Sequence, residues 1–292
     1  MRIVITGGAG FIGSSFTNLC KRLGFDVLVI DKLTYASNID IIPKVSILKK
    51  DICDVTKEDL GEYEYLVNFA AESHVDNSIK DGKPFVKSNI EGTYNLLELA
   101  RKNPNLKKFV QISTDEVYGD LDKLDIDASF EQNFLYPSSY YSATKASADM
   151  LVYSCNHTFG LPYVITRTCN NFGINQHSEK FIPTIMRSIK EDKPIPVYGD
   201  GKQIREWIWV EDNVKKILEL MLNSENGVFN IGSGECLQNI DIIAHIGFLL
   251  GKEPKYEFVE DRKGHDRRYT LDTDFEKPKI TKTLFEYLKE QL

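Results

Sequence analysis

Arg2-Ile3-Val4-Ile5-Thr6-Gly7-Gly8-Ala9-Gly10-Phe11-Ile12-Gly13 is the stretch that decides the fold. Its first five residues form a short apolar strand, and the glycines come directly after it without a spacer. Beyond them Phe16, Leu19 and Leu23 recur at spacings of three and four, which predicts an amphipathic helix. A strand, a glycine turn and a helix in that order form a cradle for a dinucleotide. Gly7 permits the tight turn, Gly10 lets backbone N–H groups approach a pyrophosphate, and Gly13 allows close helix packing. Glycines alone mark ordinary turns, but here both flanking elements are present.

The pattern continues outward from this stretch. Asp26-Val27-Leu28-Val29-Ile30 is a second strand ending at Asp31, about 20 residues past the glycines, where an acid can accept both ribose hydroxyls of NAD. The same carboxylate would repel the 2′-phosphate of NADP. Val45 to Lys49 is a third strand, leading to Asp51-Ile52, which are placed to flank an adenine. Tyr65 to Phe69 is a fourth, and the small Ala70 and Ala71 beyond it let a cofactor lie close to the backbone. His74 comes next with only Asp76 nearby to orient it, so it is read as structural. Pro84 to Ala100 reads as one amphipathic helix with Val86, Ile90, Tyr94 and Leu97 on one face. Strands alternating with helices predict an α/β fold built on a Rossmann-type, doubly wound parallel sheet.

Lys107 to Ile112 is the fifth strand, and it runs into Ser113-Thr114-Asp115-Glu116-Val117-Tyr118-Gly119. In open α/β sheets ligands bind beyond the carboxyl ends of the strands. A hydroxyl and two adjacent carboxylates at such a place are hard to explain by packing. Downstream lies Tyr141-Ser142-Ala143-Thr144-Lys145, whose Tyr141 and Lys145 share one face of a helix from Tyr141 to Phe159. An ammonium beside a phenol favours the phenolate and makes a base near neutrality. Together the two motifs point to redox chemistry on a hydroxyl with acid–base chemistry beside it. The acids between them, Asp120, Asp122, Asp125, Asp127 and Glu131, read as a solvated surface. After the strand Tyr163 to Arg167 the alternation loosens. The division expected is 1–169 for a cofactor domain carrying the catalytic residues and 170–292 for a smaller, interleaved α/β substrate-binding part without a clear linker. Asn171, Lys180, Arg205, Asn239, Arg262 and Arg267 in that second part suit a phosphorylated ligand.

Composition narrows the class. Of 292 residues, 42% are hydrophobic and 27% charged, which is ordinary for a globular protein with a large core. A net charge of −7 argues against nucleic acid as a partner. No apolar run reaches the roughly 20 residues of a membrane helix, and the early glycines interrupt any signal peptide. The five cysteines are odd in number and scattered, without zinc-ligand spacing, so neither a metal site nor a disulfide framework is expected. A cytoplasmic enzyme with reduced cysteines fits.

These segments resemble the extended short-chain dehydrogenase/reductase superfamily, and within it the nucleoside-diphosphate-glucose 4,6-dehydratases, especially the dTDP-glucose enzymes. The likeness rests on Thr6 to Gly13, Asp31 to Ala36, Ala70 to Asp76, Ser113 to Gly119 and Tyr141 to Lys145. In the second half it rests on Asn170 to Gly173, Glu179 to Pro183, Pro196 to Gly199, Gln203 to Trp207 and Gly264 to Tyr269. Thr114-Asp115-Glu116 is the most specific part, since related epimerases lack the acidic pair. The resemblance implies that Tyr141 takes the proton of the sugar 4-hydroxyl, with Lys145 lowering its pKa and Thr114 bonding O4. Hydride would pass from C4 to NAD, Glu116 would remove the C5 proton, Asp115 would protonate the departing 6-hydroxyl, and hydride would return to C6.

The same resemblance implies that Phe11, Ile12, Lys32, Thr34, Ser73, Ser88 and Asn170 lie at the cofactor. It sets Ser73 and Thr114 at the sugar and Asn171, Arg205, Asn239 and Arg262 at the diphosphate and ribose. Lys180, Phe181, Pro196, Tyr198 and His265 would line the nucleotide. A homodimer is implied through the helices from Pro84 and Tyr141, with Leu151 and Val152 free to face a partner. Asn68 stands where the family commonly has His, Lys263 where it has Pro, and Asn77 where bacterial dTDP enzymes usually have Arg. Asn77 is similar to the residue of UDP-glucose dehydratases, so thymine and uracil both stay open. A 4-epimerase would share Tyr141 and Lys145 but have no use for Asp115 and Glu116. A silent NAD-sensing protein would be free to lose all four.

Overall fold

The computed structural model describes residues 1–273 and 277–292. Its first sheet is built from β1 (Arg2–Thr6), β2 (Asp26–Asp31), β3 (Ser46–Lys49), β4 (Tyr65–Asn68), β5 (Lys108–Thr114), β6 (Tyr163–Thr168) and β10 (Gly227–Ile231). Their order is β10-β6-β5-β4-β1-β2-β3, and every pairing is parallel. Parallel strands need crossovers, so helices cover both faces and the central strands carry apolar residues almost without alternation. Ile3, Val4, Ile5, Leu66, Val67, Phe109 and Val110 are accordingly inaccessible to solvent. The order reverses between β1 and β4, which opens a crevice at their carboxyl ends.

Two smaller sheets stand apart from the first. β7 (Asn170–Phe172) pairs in parallel with β9 (Ile204–Trp209), which pairs antiparallel with β11 (Cys236–Gln238). β8 (Ile195–Tyr198) and β12 (Tyr256–Val259) form a parallel pair. Phe172, Ile182, Ile185, Trp207, Ile243, Leu284 and Leu288 pack between these strands and their helices as a separate apolar core. β10 nevertheless returns from this part to the edge of the seven-stranded sheet. No helix among the described residues is long and apolar enough to cross a membrane.

The segment expected as one regular helix from Pro84 differs in a way that matters. Lys83–Phe85 is α-helical, Val86–Gly92 is a π-helix, and Thr93–Ala100 resumes the α-helix. The wider π turn rotates the residues beyond it, so the inner face is Phe85, Ser88, Asn89, Thr93, Leu96, Leu97 and Ala100, of which Leu97 is inside as expected. Val86 and Tyr94, expected inside, are exposed. On the helix Tyr140–Phe159 the correction runs the other way. Val152 is fully buried and Leu151 packs half-buried against the same core, while Met150 and Tyr153 are among the residues on the outside.

Candidate active site

The glycine turn closes as its residues demand. Gly7 has φ +66, and a side-chain carbon there would stand 2.6 Å from the Ala70 nitrogen; at Gly13 it would stand 2.2 Å from the Gly7 carbonyl oxygen. Only glycine lets β1, the start of the helix Phe11–Arg22 and the chain after β4 come this close. Gly10 caps that helix without a side chain, so the first N–H groups stay available to an anion such as a pyrophosphate. Asp31 closes the other side. Its carboxylate accepts from the Ala9 N–H at 3.0 Å, the Leu33 N–H at 2.8 Å and the Ser37 hydroxyl at 2.9 Å. The donor set, the uncapped helix and the space kept by glycine fit a dinucleotide.

A cleft of about 410 Å³ runs from this cradle across the ends of β4, β5 and β6. Every residue expected at the cofactor lines it: Gly7, Gly10, Phe11, Ile12 and Gly13 from the turn, and Asp31, Lys32, Thr34, Asp51 and Ile52 from the second and third strands. Ala70, Ala71, Ser73, Ser88 and Asn170 complete that wall, Ser88 being turned inward by the π segment. Thr114, Asp115, Glu116, Tyr141 and Lys145 form the floor, and Asn171, Lys180 and Phe181 begin the far wall. Pro196, Tyr198, Arg205, Asn239, Arg262 and His265 are not on these walls.

The floor is assembled by a short 3-10 turn, Asp115–Tyr118, which stops β5 and turns its acids over the strand end. The Thr114 hydroxyl receives the Glu116 N–H at 3.3 Å and donates to Asp115 Oδ1 at 3.1 Å. Asp115 Oδ2 is buried without a hydrogen-bond partner. Burial, then the charges of Glu116 and Glu206, push the Asp115 carboxyl up to about 8. Burial also raises Glu116, with Asp266 adding to it, and Arg262, Arg205 and Lys180 oppose that rise without reversing it. Adjacent in sequence, the two carboxylates thus sit in unlike fields. Asp115 holds a proton at neutral pH, and Glu116 is the one that cations favour in its charged form.

Tyr141 and Lys145 share a helix face as expected, but the expected lowering of the phenol is not what the arrangement produces. Burial, then Glu116, raise the Tyr141 pKa, while the Thr114 hydroxyl opposes them. Lys145 donates to the Ile112 carbonyl at 2.5 Å. Burial brings its ammonium down to about 8, with Asp149 opposing. Asn89, turned inward by the π segment, secures the helix by donating to Thr144 Oγ1 at 3.0 Å.

At the far end several expected ligand groups already have protein partners. Arg205 donates to the carbonyls of Ile204 and Asp266 at 2.8 and 2.9 Å and stacks on Tyr269. Arg262 meets Asp76 at 3.4 Å, although its Nε is buried and unpartnered. His265 bonds Asp261 at 2.6 Å, and burial followed by Arg262 lowers its pKa to about 4. Arg267 makes a bidentate pair with Asp200. Asn239 begins the helix Asn239–Leu249, and Pro196 and Tyr198 lie on β8 with Tyr198 edge-on to His265. The loop acids need a correction: Asp120 is buried and accepts from the Arg268 N–H at 3.2 Å, and Glu131 accepts from the Asn230 N–H at 2.9 Å. Gln176, His177 and Glu179 also line the cleft, carried by the loop after β7; no spacing in the sequence marks the first two, and Glu179 opens a segment that carries the resemblance.

Residues 3–232 match the model of the NAD dependent epimerase/dehydratase family. The low-salt glycan biosynthesis protein Agl12 of Haloferax volcanii is 45% identical over 93% of this chain and 90% of its own. The dTDP-glucose 4,6-dehydratase of Haemophilus influenzae is 41% identical over 93% of this chain and 90% of its own. The crystal structure of DesIV, a dTDP-glucose 4,6-dehydratase from Streptomyces venezuelae with NAD and TYD bound, superimposes with a TM-score of 0.93 at 35% identity, covering 99% of this chain and 95% of that one. The cradle, the cleft and this likeness along nearly the whole chain agree: the protein belongs to the NAD dependent epimerase/dehydratase family.

Proposed function

We propose that the protein is an NAD-dependent hydro-lyase that converts dTDP-glucose to its 4-keto-6-deoxy derivative. One observation carries the reading: an acid that keeps its proton, Asp115, lies beside a carboxylate that cations favour in its charged form, Glu116, both next to the Tyr141 and Lys145 pair. The relatives named as dTDP-glucose 4,6-dehydratases support it. NAD, when bound, supplies a hydride acceptor for the sugar C4, a hydride donor for C6 and, in its oxidised form, a positive charge.

The residues divide the proton work. Tyr141 takes the proton of the 4-hydroxyl; burial and Glu116 hold its phenol up, and the positive charge of an oxidised cofactor would bring it down. Thr114 orients O4. The 4-ketone acidifies C5, and Glu116 removes that proton. Asp115 delivers its own proton to the departing O6, so water leaves without a charged intermediate at C6. Gly7 to Gly13, Asp31 and Ser73 hold the cofactor, residues 1–169 carrying the chemistry. Residues 170–292 supply Asn171, Lys180 and Arg262 to the nucleotide. Weighing the product tests the reading, since dehydration loses one water whereas epimerisation leaves the mass unchanged.

UDP-glucose is the second reading, resting on the likeness of Asn77 to the residue of UDP-glucose dehydratases. Parallel incubations with the two nucleotide sugars decide between them. A cytoplasmic location rests on five unpaired cysteines. A homodimer rests on the exposed Val86, Tyr94, Met150 and Tyr153 and is checked by light scattering at micromolar concentration.

A further inference from the structure

Beneath the floor of the cleft lies an ion pair that the reaction itself does not use. Arg167 on β6 and Asp149 on the helix Tyr140–Phe159 are almost inaccessible to solvent, and Arg167 Nε donates to Asp149 Oδ2 at 3.1 Å. The same guanidinium donates from its NH1 to the Tyr118 hydroxyl at 2.9 Å and lies 4.8 Å over the Tyr118 ring. Tyr118 donates onward to Asn230 Oδ1 at 2.8 Å, on β10. Arg167 NH1 also reaches the Glu131 carbonyl at 3.3 Å.

The two partners of Arg167 lie on the two elements that carry the chemistry. Asp149 comes one helical turn after Lys145 and two after Tyr141, on the same face. Tyr118 is the last residue of the 3-10 turn that begins with Asp115 and Glu116. Arg167 itself is paired with Ser113 in the β5–β6 ladder, so its base is anchored beside the acid turn. Apolar side chains of similar volume in place of both Arg167 and Asp149 could fill this space without loss of stability. They could not bond a helix and a turn at once, which the planar fork of arginine does.

We propose that Arg167 is a positioning residue that gives the Tyr141/Lys145 pair and the Asp115/Glu116 pair a common register by gripping Asp149 and Tyr118 together. This rests on the dehydratase reading, in which oxidation at C4 and elimination across C5 and C6 use different pairs on one bound sugar. A small misplacement of one pair against the other would then slow elimination while oxidation proceeds. Asp149 has a second effect through Lys145. Its charge holds the ammonium up against burial, while Arg167 helps keep Asp149 ionised. The groups facing Asp149 are Lys145 on its own helix, Arg167 and Ser113 from the strands, and Tyr118 from the turn; Tyr141 also feels its charge.

The test measures the two half-reactions separately in Arg167→Lys and Tyr118→Phe, with dTDP-glucose as substrate. Oxidation is read as the rate of enzyme-bound NADH formation, and elimination as its decay with formation of the dehydrated sugar. In Arg167→Lys, elimination should fall about tenfold further than oxidation, so that NADH stands on the enzyme at steady state. Tyr118→Phe, which keeps the ring and loses one bond, should change the ratio in the same direction by less. In Asp149→Asn the alkaline limb of oxidation should move to lower pH, because Lys145 loses the charge that holds its proton. An unchanged ratio of the two rates in the folded variants overturns the proposal. Tyr118→Phe decides alone if Arg167→Lys does not fold. A wild-type protein that formed no dehydrated sugar would remove the function first and this inference with it.

Discussion

The two ends of the cleft are built by different rules. At the cofactor end the walls come from contiguous stretches at the ends of β1, β2 and β4, and the contacts that shape them are to backbone: the Gly7 and Gly13 approaches and Asp31 on the Ala9 and Leu33 N–H groups. Beyond the far wall of the cleft, the polar groups expected at a nucleotide sugar come from segments far apart in the chain, and several already have protein partners. Arg262 meets Asp76 from 186 residues away, and Arg205 is held by the carbonyls around Asp266. A site made of backbone has little slack. One made of paired side chains can exchange partners, so it should tolerate change in steps.

The largest effects are expected where the two ends meet. Tyr141→Phe should lower turnover by about 10²–10⁴-fold with no enzyme-bound NADH, because the first proton has no acceptor. Asp115→Asn should lower turnover in the same range, yet leave oxidation possible, so NADH appears and persists. A rapid-mixing absorbance trace separates them. Loss of NADH formation in Asp115→Asn would transfer that residue from elimination to oxidation.

A second pair sets one end against the other. Gly13→Ala pushes a carbon into the Gly7 carbonyl and should weaken NAD binding about tenfold or more, seen as cofactor lost during purification. Arg262→Ala should leave bound NAD unchanged and raise KM for the nucleotide sugar about tenfold, the scale of one charged hydrogen bond. Equal loss of NAD in both variants would erase the contrast.

The smallest effect is thermodynamic. A carboxyl whose folded pKa is raised from 3.8 to about 8 binds its proton more tightly in the folded state. That contribution is complete below pH 4 and is lost as pH rises toward 8. Asp115→Asn has no such loss, so its melting temperature should gain on wild type by a few degrees between pH 5 and 9. A difference independent of pH would mean that Asp115 is not held neutral. Turnover should also fall above about pH 8, where Asp115 loses its proton and Lys145 its ammonium.

The legible and illegible parts of the chain divide along the same line. β1 runs from Arg2 to Thr6 as its apolar run implies, and the cofactor residues fall on one wall because strand ends and glycine turns are local features. The π segment is not legible, since a 3.6-residue period cannot show an i→i+5 turn, and of the apolar face expected over Pro84 to Ala100 Leu97 is inside while Val86 and Tyr94 are not. Nor were the partners of charges legible. Nothing near Asp120 in the sequence marks it as buried; its partner, the Arg268 N–H, comes 148 residues on. The spacing of Tyr141 and Lys145 gives their common face, but the bond of Lys145 to the Ile112 carbonyl depends on β5 lying beneath the helix. Arg167 and Asp149 carried no motif at all; only the fold makes them a pair.

The most direct test of the central assignment tracks two hydrogens through one turnover. With dTDP-glucose bearing deuterium at C4, the label should appear at C6 of the 4-keto-6-deoxy product. In heavy water with unlabelled substrate, one deuterium should enter at C5, where Glu116 exchanges the proton. A label retained at C4, or a C5 hydrogen that never exchanges, would contradict the dehydratase reading and the role of Glu116 together.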